Sequence, residues 1–407
     1  MIQRAEYLEQ LKKWRGESVI KVITGIRRCG KSTLLEIYQD YLKTQGVEDS
    51  QIISVNFEEL EYEDLLDYKA LYNYITERLH PEKTTYVFLD EIQRVESFQK
   101  AVDSLYVKKN TDIYITGSNA YLLSGELATL LSGRYVEINM LPLSFAEYCE
   151  LRQNEDKETV FSEYMKTGGL PYVAKLLDQS DMVNAYLEGI YNTIIVKDIE
   201  ERQKRKEKDP DKRKVNDISL LKNISKFMAG SIGSPISVKS IADYLASEGR
   251  KTSQNTVDDY VKALVEPYIF YPVERYDVIG KQLLKTNQKF YIVDLGLRRH
   301  LLARQKYDLG FSLENIIFFE LLRRGYRVNI GKVGTAEVDF VARKNDSVRY
   351  FQVTASMTEE STFVREMAPL KNMKDNYPKY VLTLDRFTPG NYDGIEVMNA
   401  IDWLLAK

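Results

Sequence analysis

Residues Gly25-Ile26-Arg27-Arg28-Cys29-Gly30-Lys31-Ser32 fit the spacing G-x-x-x-x-G-K-[S/T]. They lie between the apolar run Val19-Ile20-Lys21-Val22-Ile23 and the helical pattern Thr33-Leu34-Leu35-Glu36-Ile37-Tyr38. Strand, glycine loop and helix in this order aim successive backbone N–H groups and the positive end of a helix dipole at one point. The β- and γ-phosphates of a nucleotide fit there. The expected cradle is Gly25, Ile26, Arg27, Arg28, Cys29, Gly30, Lys31, Ser32 and Thr33, with Lys31 bridging phosphates and Ser32 ligating Mg2+. ATP and Mg2+ are the expected cofactors. The competing reading is a glycine turn that happens to carry a lysine. Both glycines, the Lys-Ser pair and the strand-helix context weigh against it.

A chain of 407 residues exceeds what one hydrophobic core organises, so two or three domains are expected. Charged residues at 29% and hydrophobic ones at 44% exclude a disordered or fibrous chain. The net charge of -3 neither supports nor excludes a nucleic-acid partner, because one basic face can act alone. Cys29 and Cys149 are too few for a disulfide scaffold or a cysteine zinc site, and His80 and His300 leave little for histidine chemistry. No segment approaches the roughly 20 apolar residues that span a bilayer, so no membrane is expected and the expected location is cytoplasmic.

Tyr86-Val87-Phe88-Leu89-Asp90-Glu91 is a buried-strand pattern ending in two carboxylates. In a parallel α/β sheet such strand ends face the ligand crevice. Asp90 is then placed to hold Mg2+ opposite Ser32, and Glu91 to polarise an attacking water. An ordinary strand entering an acidic turn is the alternative. The strand Ile113-Tyr114-Ile115-Thr116 runs into Gly117-Ser118-Asn119, where Ser118 or Asn119 is a candidate sensor of the γ-phosphate, or part of a polar turn. Arg134, before the strand-like Val136-Glu137-Ile138-Asn139-Met140, is either an arginine finger, in cis or from a neighbouring subunit, or a surface residue.

Gly25 to Ser32, Asp90-Glu91-Ile92-Gln93, Thr116-Gly117-Ser118, Ser132-Gly133-Arg134-Tyr135, Pro142-Leu143-Ser144-Phe145 and Gly168-Gly169-Leu170-Pro171 together resemble the prokaryotic AAA+ ATPases related to archaeal ATPases, which carry a C-terminal domain of unknown function. The resemblance spans essentially the whole chain. It implies an α/β ATPase core with the parallel sheet of a P-loop NTPase (1–144), a helical lid and basic linker (145–214), a winged helix (215–295) and a restriction-endonuclease-like α/β domain (296–407). It offers Arg134 as the arginine finger, and no second sensor arginine is evident in the lid.

The run from Arg202 to Lys214 is a charged boundary before it is a phosphate contact. Three helical patterns follow, through Leu220 to Met228, Val238 to Leu245 and Val257 to Val265, and then a hairpin from Tyr268 closed by Lys289 to Val293. This is the arithmetic of a winged helix. Asp258 and Asp259 on the third helix repel phosphates, whereas Arg250, Lys251, Gln254 and Asn255 favour them, so DNA binding and protein docking both stay open.

In the last segment Glu314 on a helix, Asp339 starting one strand and Gln352-x-Thr354 on the next resemble the PD-(D/E)XK nuclease pattern. There Glu314, Asp339 and an acid would bind Mg2+ while a lysine orients the water. Gln352 replaces the acid and Thr354 the lysine, so a degenerate fold without DNA cleavage is expected. Losing one preorganised electrostatic group costs about 10²–10³ in rate. The expectation is an ATP-driven molecular switch that engages DNA or a protein partner, with a homo-oligomer as a further expectation. The alternatives are an ATP-dependent nuclease and a non-hydrolysing, ATP-bound interaction protein.

Overall fold

A computed structural model of the chain describes residues 2–118, 131, 133–152, 155–176, 179–194, 217–302 and 308–406. Its contacts divide into two compact units, residues 1–141 with 266–268, and residues 142–265 with 269–407. No helix among the described residues is long and apolar enough to cross a membrane.

In the first unit α1 (Ala5–Lys13) buries Tyr7 and Leu11, one turn apart. The strands are β1 (Ile20–Thr24), β2 (Ile52–Asn56), β3 (Thr85–Asp90), β4 (Thr111–Gly117) and β5 (Tyr135–Asn139). They form one parallel sheet in the order β2-β3-β4-β1-β5. β1 and β3 are buried along their whole length, as strands of a parallel sheet covered on both faces must be.

The residue alternation of a strand splits the core into two layers. Ile20, Val22, Val55, Val87, Leu89 and Ile115 pack with α3 (Tyr68–Thr76) and α4 (Phe98–Tyr106) through Leu71, Ile75, Val102 and Leu105. Phe88 and Tyr114 stack with ring centres 4.9 Å apart beside Tyr38 of α2 (Lys31–Thr44). Lys21 is buried in that second layer, 2.6 Å from Asp112. This five-stranded parallel sheet fits a P-loop NTPase fold. Because β4 separates β1 from β3, its carboxyl end at Thr116 and Gly117 opens between the glycine loop and Asp90.

The second unit begins with α5 (Phe145–Leu151), α6 (Lys157–Thr167) and α7 (Ser180–Asn192), the described helices of the segment expected as a lid. Ser144 and Glu147 cap α5 reciprocally, and Phe145 meets Phe161 edge to face. The charged run from Arg202 to Lys214 lies outside the described residues.

Then come α8 (Ile218–Gly230), β6 (Pro235–Ile236), α9 (Val238–Ser247), α10 (Gln254–Val265), β7 (Phe270–Asp277) and β8 (Gln282–Ile292). Three helices and a hairpin thus occupy the positions their periodicity predicts. After α11 (Leu295–Leu302) and α12 (Leu309–Arg323) the chain adds β9 (Arg327–Val333), β10 (Ala336–Lys344), β11 (Ser347–Thr354), α13 (Glu360–Lys371), β12 (Lys379–Thr383), β13 (Gly390–Tyr392), β14 (Ile395–Asn399) and α14 (Ala400–Leu405).

β7 pairs parallel with β9 through Arg275, Tyr276 and Asp277. The hairpin and the terminal strands therefore share one sheet, ordered β13-β14-β12-β11-β10-β9-β7-β8-β6. The boundary expected between residues 295 and 296 crosses no break in that sheet.

Candidate nucleotide site

β1 delivers the chain into the loop at Gly25, whose φ of +142° lies outside what a side chain tolerates. A Cβ there would come 2.1 Å from the carbonyl oxygen of Met140. The loop is fastened from below. Ile26 and Cys29 are fully buried. The Arg4 guanidinium donates to the carbonyl of Cys29 at 3.2 Å and to that of Leu141 at 2.5 Å. Arg27 reaches outward to Glu58 at 2.8 Å, Arg28 and Ser32 are exposed, and Thr33 is half-buried.

Lys31 opens α2 and is 4% exposed. Its ammonium donates to the carbonyls of Gly25 at 3.1 Å and Ile26 at 3.3 Å, and stands 3.9 Å from Glu91 Oε1. Asp90 ends β3 and accepts hydrogen bonds from the hydroxyls of Thr116 and Ser32. Burial raises its pKa despite those two hydrogen bonds, which oppose the shift.

Glu91 follows with a left-handed φ of +54°, so the two consecutive carboxylates leave the strand in different directions. Its backbone N–H donates to Thr116 Oγ1 at 2.9 Å. Its carboxylate accepts from the Ser118 hydroxyl at 3.0 Å and from the Gln93 amide. Thr116 thus bonds both to Asp90 and to the Glu91 backbone, a link the sequence motif does not disclose. The signal was its place at the end of β4, between the other two motif strands.

The structure brings Lys31, Asp90, Glu91, Thr116 and Ser118 together at the carboxyl end of the sheet. Asn119 lies outside the described residues. Arg134 goes elsewhere. It precedes β5, and its carbonyl accepts the N–H of Ile20, the first residue of β1. Its exposed guanidinium lies 5.3 Å from the ring centre of Tyr106. The length of β1, about 16 Å for five residues, separates it from the loop. A finger acting in cis is therefore corrected: in a parallel sheet, residues before one strand and after another lie at opposite ends.

The donor set suits a magnesium–triphosphate. A hydroxyl at Ser32 and a carboxylate at Asp90 are hard oxygen ligands, and Lys31 presents a buried ammonium to oxygen acceptors alone among its described bonds.

The four residues expected to form a degenerate nuclease pattern lie inside the second unit. Glu314, Asp339, Gln352 and Thr354 are all buried. Gln352 accepts the Asp339 N–H at 3.3 Å and donates to Glu366 at 2.8 Å. Thr354 turns its hydroxyl to the carbonyl of Ser356 at 3.0 Å.

Residues 17–149 match the AAA domain family, and residues 158–308 match a domain of unknown function, DUF8612. The chain is 42% identical over 410 residues to an uncharacterized protein of Haemophilus influenzae, covering 100% of this chain and 99% of the relative. An uncharacterized protein of Methanocaldococcus jannaschii is 29% identical over 350 residues, 81% of this chain and 71% of that protein. Among solved structures, the chain is similar to the Aeropyrum pernix ORC1 protein in complex with DNA at a TM-score of 0.31 and 12% identity, covering 74% of this chain and 91% of that one. AMPPCP-bound DnaA from Aquifex aeolicus gives a TM-score of 0.30 and 16% identity over 64% of this chain and 86% of that one. Nothing about function follows from scores this low.

Proposed function

The chain belongs to the family of its full-length Haemophilus influenzae relative and carries an AAA domain of the P-loop ATPase type, and on that premise we propose that it is an Mg-ATP-dependent molecular switch. The observation that carries the reading is the convergence of Lys31, Asp90, Glu91 and Ser118 at one sheet end. Gly25 to Thr33 hold the phosphates, with Lys31 supplying the charge, while Ser32 and Asp90 hold the metal. Magnesium, when bound, neutralises negative charge on the phosphate oxygens. Glu91 takes the proton of the attacking water, and Ser118 with Gln93 fixes that carboxylate. Thr116 keeps Asp90 and Glu91 at a constant spacing.

The helices α8 to α10 and the β7–β8 hairpin are read as a winged helix, and the strands after them as a nuclease-like fold that engages DNA or a protein partner without cutting. Thr354 supports the absence of cutting, since it offers no cation to a nucleophile and bonds its own loop. Metal-dependent cleavage of linear, nicked or branched DNA that disappears in Asp339→Ala would promote the nuclease alternative.

The experiment is phosphate release by wild type and Glu91→Gln, each with and without DNA. The amide cannot accept a proton, so Glu91→Gln is expected to bind ATP normally and to lose about 10²–10⁴-fold in turnover. Turnover at the wild-type rate would remove Glu91 from this role. Stimulation of the wild type by DNA would assign the second unit a nucleic-acid partner over a protein.

A further inference from the structure

Lys289, near the end of β8, is charged yet 3% exposed. Its ammonium lies 3.2 Å from Glu314 Oε1 on α12 and 2.7 Å from Glu337 Oε1 on β10. Glu314 Oε1 also accepts the Tyr291 hydroxyl at 2.6 Å. Asp339 lies two residues beyond Glu337, at the register irregularity of β10 between Val338 and Val341. It adds its field to the ammonium's surroundings and accepts the Val353 N–H at 2.8 Å. A strand of the hairpin, a helix and a terminal strand thus converge on one lysine.

An ammonium is costly to bury without carboxylates, and three carboxylates are costly to gather without a cation. Carboxylate oxygens are also the ligands that hard divalent cations take. Here two of those carboxylates already bond the ammonium, and the neighbouring amide of Gln352 is spent on the Asp339 N–H and on Glu366.

We propose that Lys289 is the resident cation of this cluster: its ammonium takes the place among Glu314, Glu337 and Asp339 that a divalent ion would need. The terminal domain then stands without metal, and the same charge pins β8 to α12 and β10. The proposal rests on the cluster alone and holds whether or not the domain is nuclease-like.

The test is Mn2+ uptake by electron paramagnetic resonance, with thermal unfolding at several Mn2+ concentrations. Nucleotide is left out, and an Asp90→Asn background removes the phosphate-loop carboxylate. With Lys289 in place, Asp339→Asn is expected to leave Mn2+ uptake unchanged. Lys289→Met is expected to gain about one Mn2+ per chain and a Tm that rises with Mn2+, because a ligand bound only by the folded state stabilises it. Both gains are expected to vanish in Lys289→Met with Asp339→Asn.

Uptake by the Lys289 chain that depends on Asp339 overturns the proposal. So does a folded Lys289→Met that gains no Mn2+, and so does a Lys289→Met that stays unfolded in millimolar Mn2+. Folding of Lys289→Met only when Mn2+ is added supports it.

Discussion

Lys31 and Glu91 stand 3.9 Å apart at the mouth of the glycine loop, with the lysine turned onto the carbonyls of Gly25 and Ile26. Its charge is held by its own loop. Lys31→Ala removes the only ammonium among the described contacts of this sheet end and is expected to abolish ATP binding. An equilibrium titration checks this, and unchanged affinity would contradict the phosphate-loop assignment. These residues were legible because phosphate binding demands fixed spacing: two glycines, Lys-Ser, and an acid pair closing a buried strand. The bonds made by Arg4, Thr116 and Lys289 were not. Each acts across a separation that no local pattern encodes, 25 residues from Arg4 to Cys29 and 26 from Thr116 to Asp90.

At the scale of elements, the Gly168-Gly169-Leu170-Pro171 motif acquires a physical reason. Asp294, between β8 and α11, accepts the Gly169 N–H at 2.7 Å and the Leu297 N–H at 3.1 Å, with further N–H donation from Gly296 and Leu170. Gly168 has φ +76°, and a Cβ there would fall 2.3 Å from the Asp294 carboxylate oxygens. The end of α6 is thereby tied to the start of α11 by a buried acid.

Burial pushes Asp294 up from 3.8 to about 6, against the lowering effect of those N–H groups. A folded-state pKa raised above the unfolded value gives stability that is complete below pH 3.8 and is lost as pH rises through about 6. The penalty for Asp294→Asn, measured by urea unfolding, is therefore expected to shrink by roughly 2 kcal/mol between pH 4 and pH 7. A penalty that grows with pH would mean that the N–H donors outweigh burial.

The helices α8 to α10 and the hairpin were legible as local periodicity. The parallel pairing of β7 with β9 was not, since it joins Arg275 to Ile330 over a long intervening stretch whose periodicity carries no register.

At the scale of the whole molecule, Arg134 changes meaning. Its place at the amino end of the sheet fits a surface arginine, and any action on a phosphate would need a neighbouring subunit. Arg134→Ala is expected to lower turnover without weakening ATP binding, and wild-type specific activity is expected to rise with protein concentration. Activity that stays flat across the assembly range would exclude an arginine supplied in trans.

The central claim is that nucleotide bound at the glycine loop changes the state of the second unit. Hydrogen exchange of Glu91→Gln with ATP against ADP tests it most directly, because that variant is expected to hold ATP without turnover. The account predicts that protection differs both around residues 25–33 and within α5 to α12. Differences confined to residues 1–141 would contradict it.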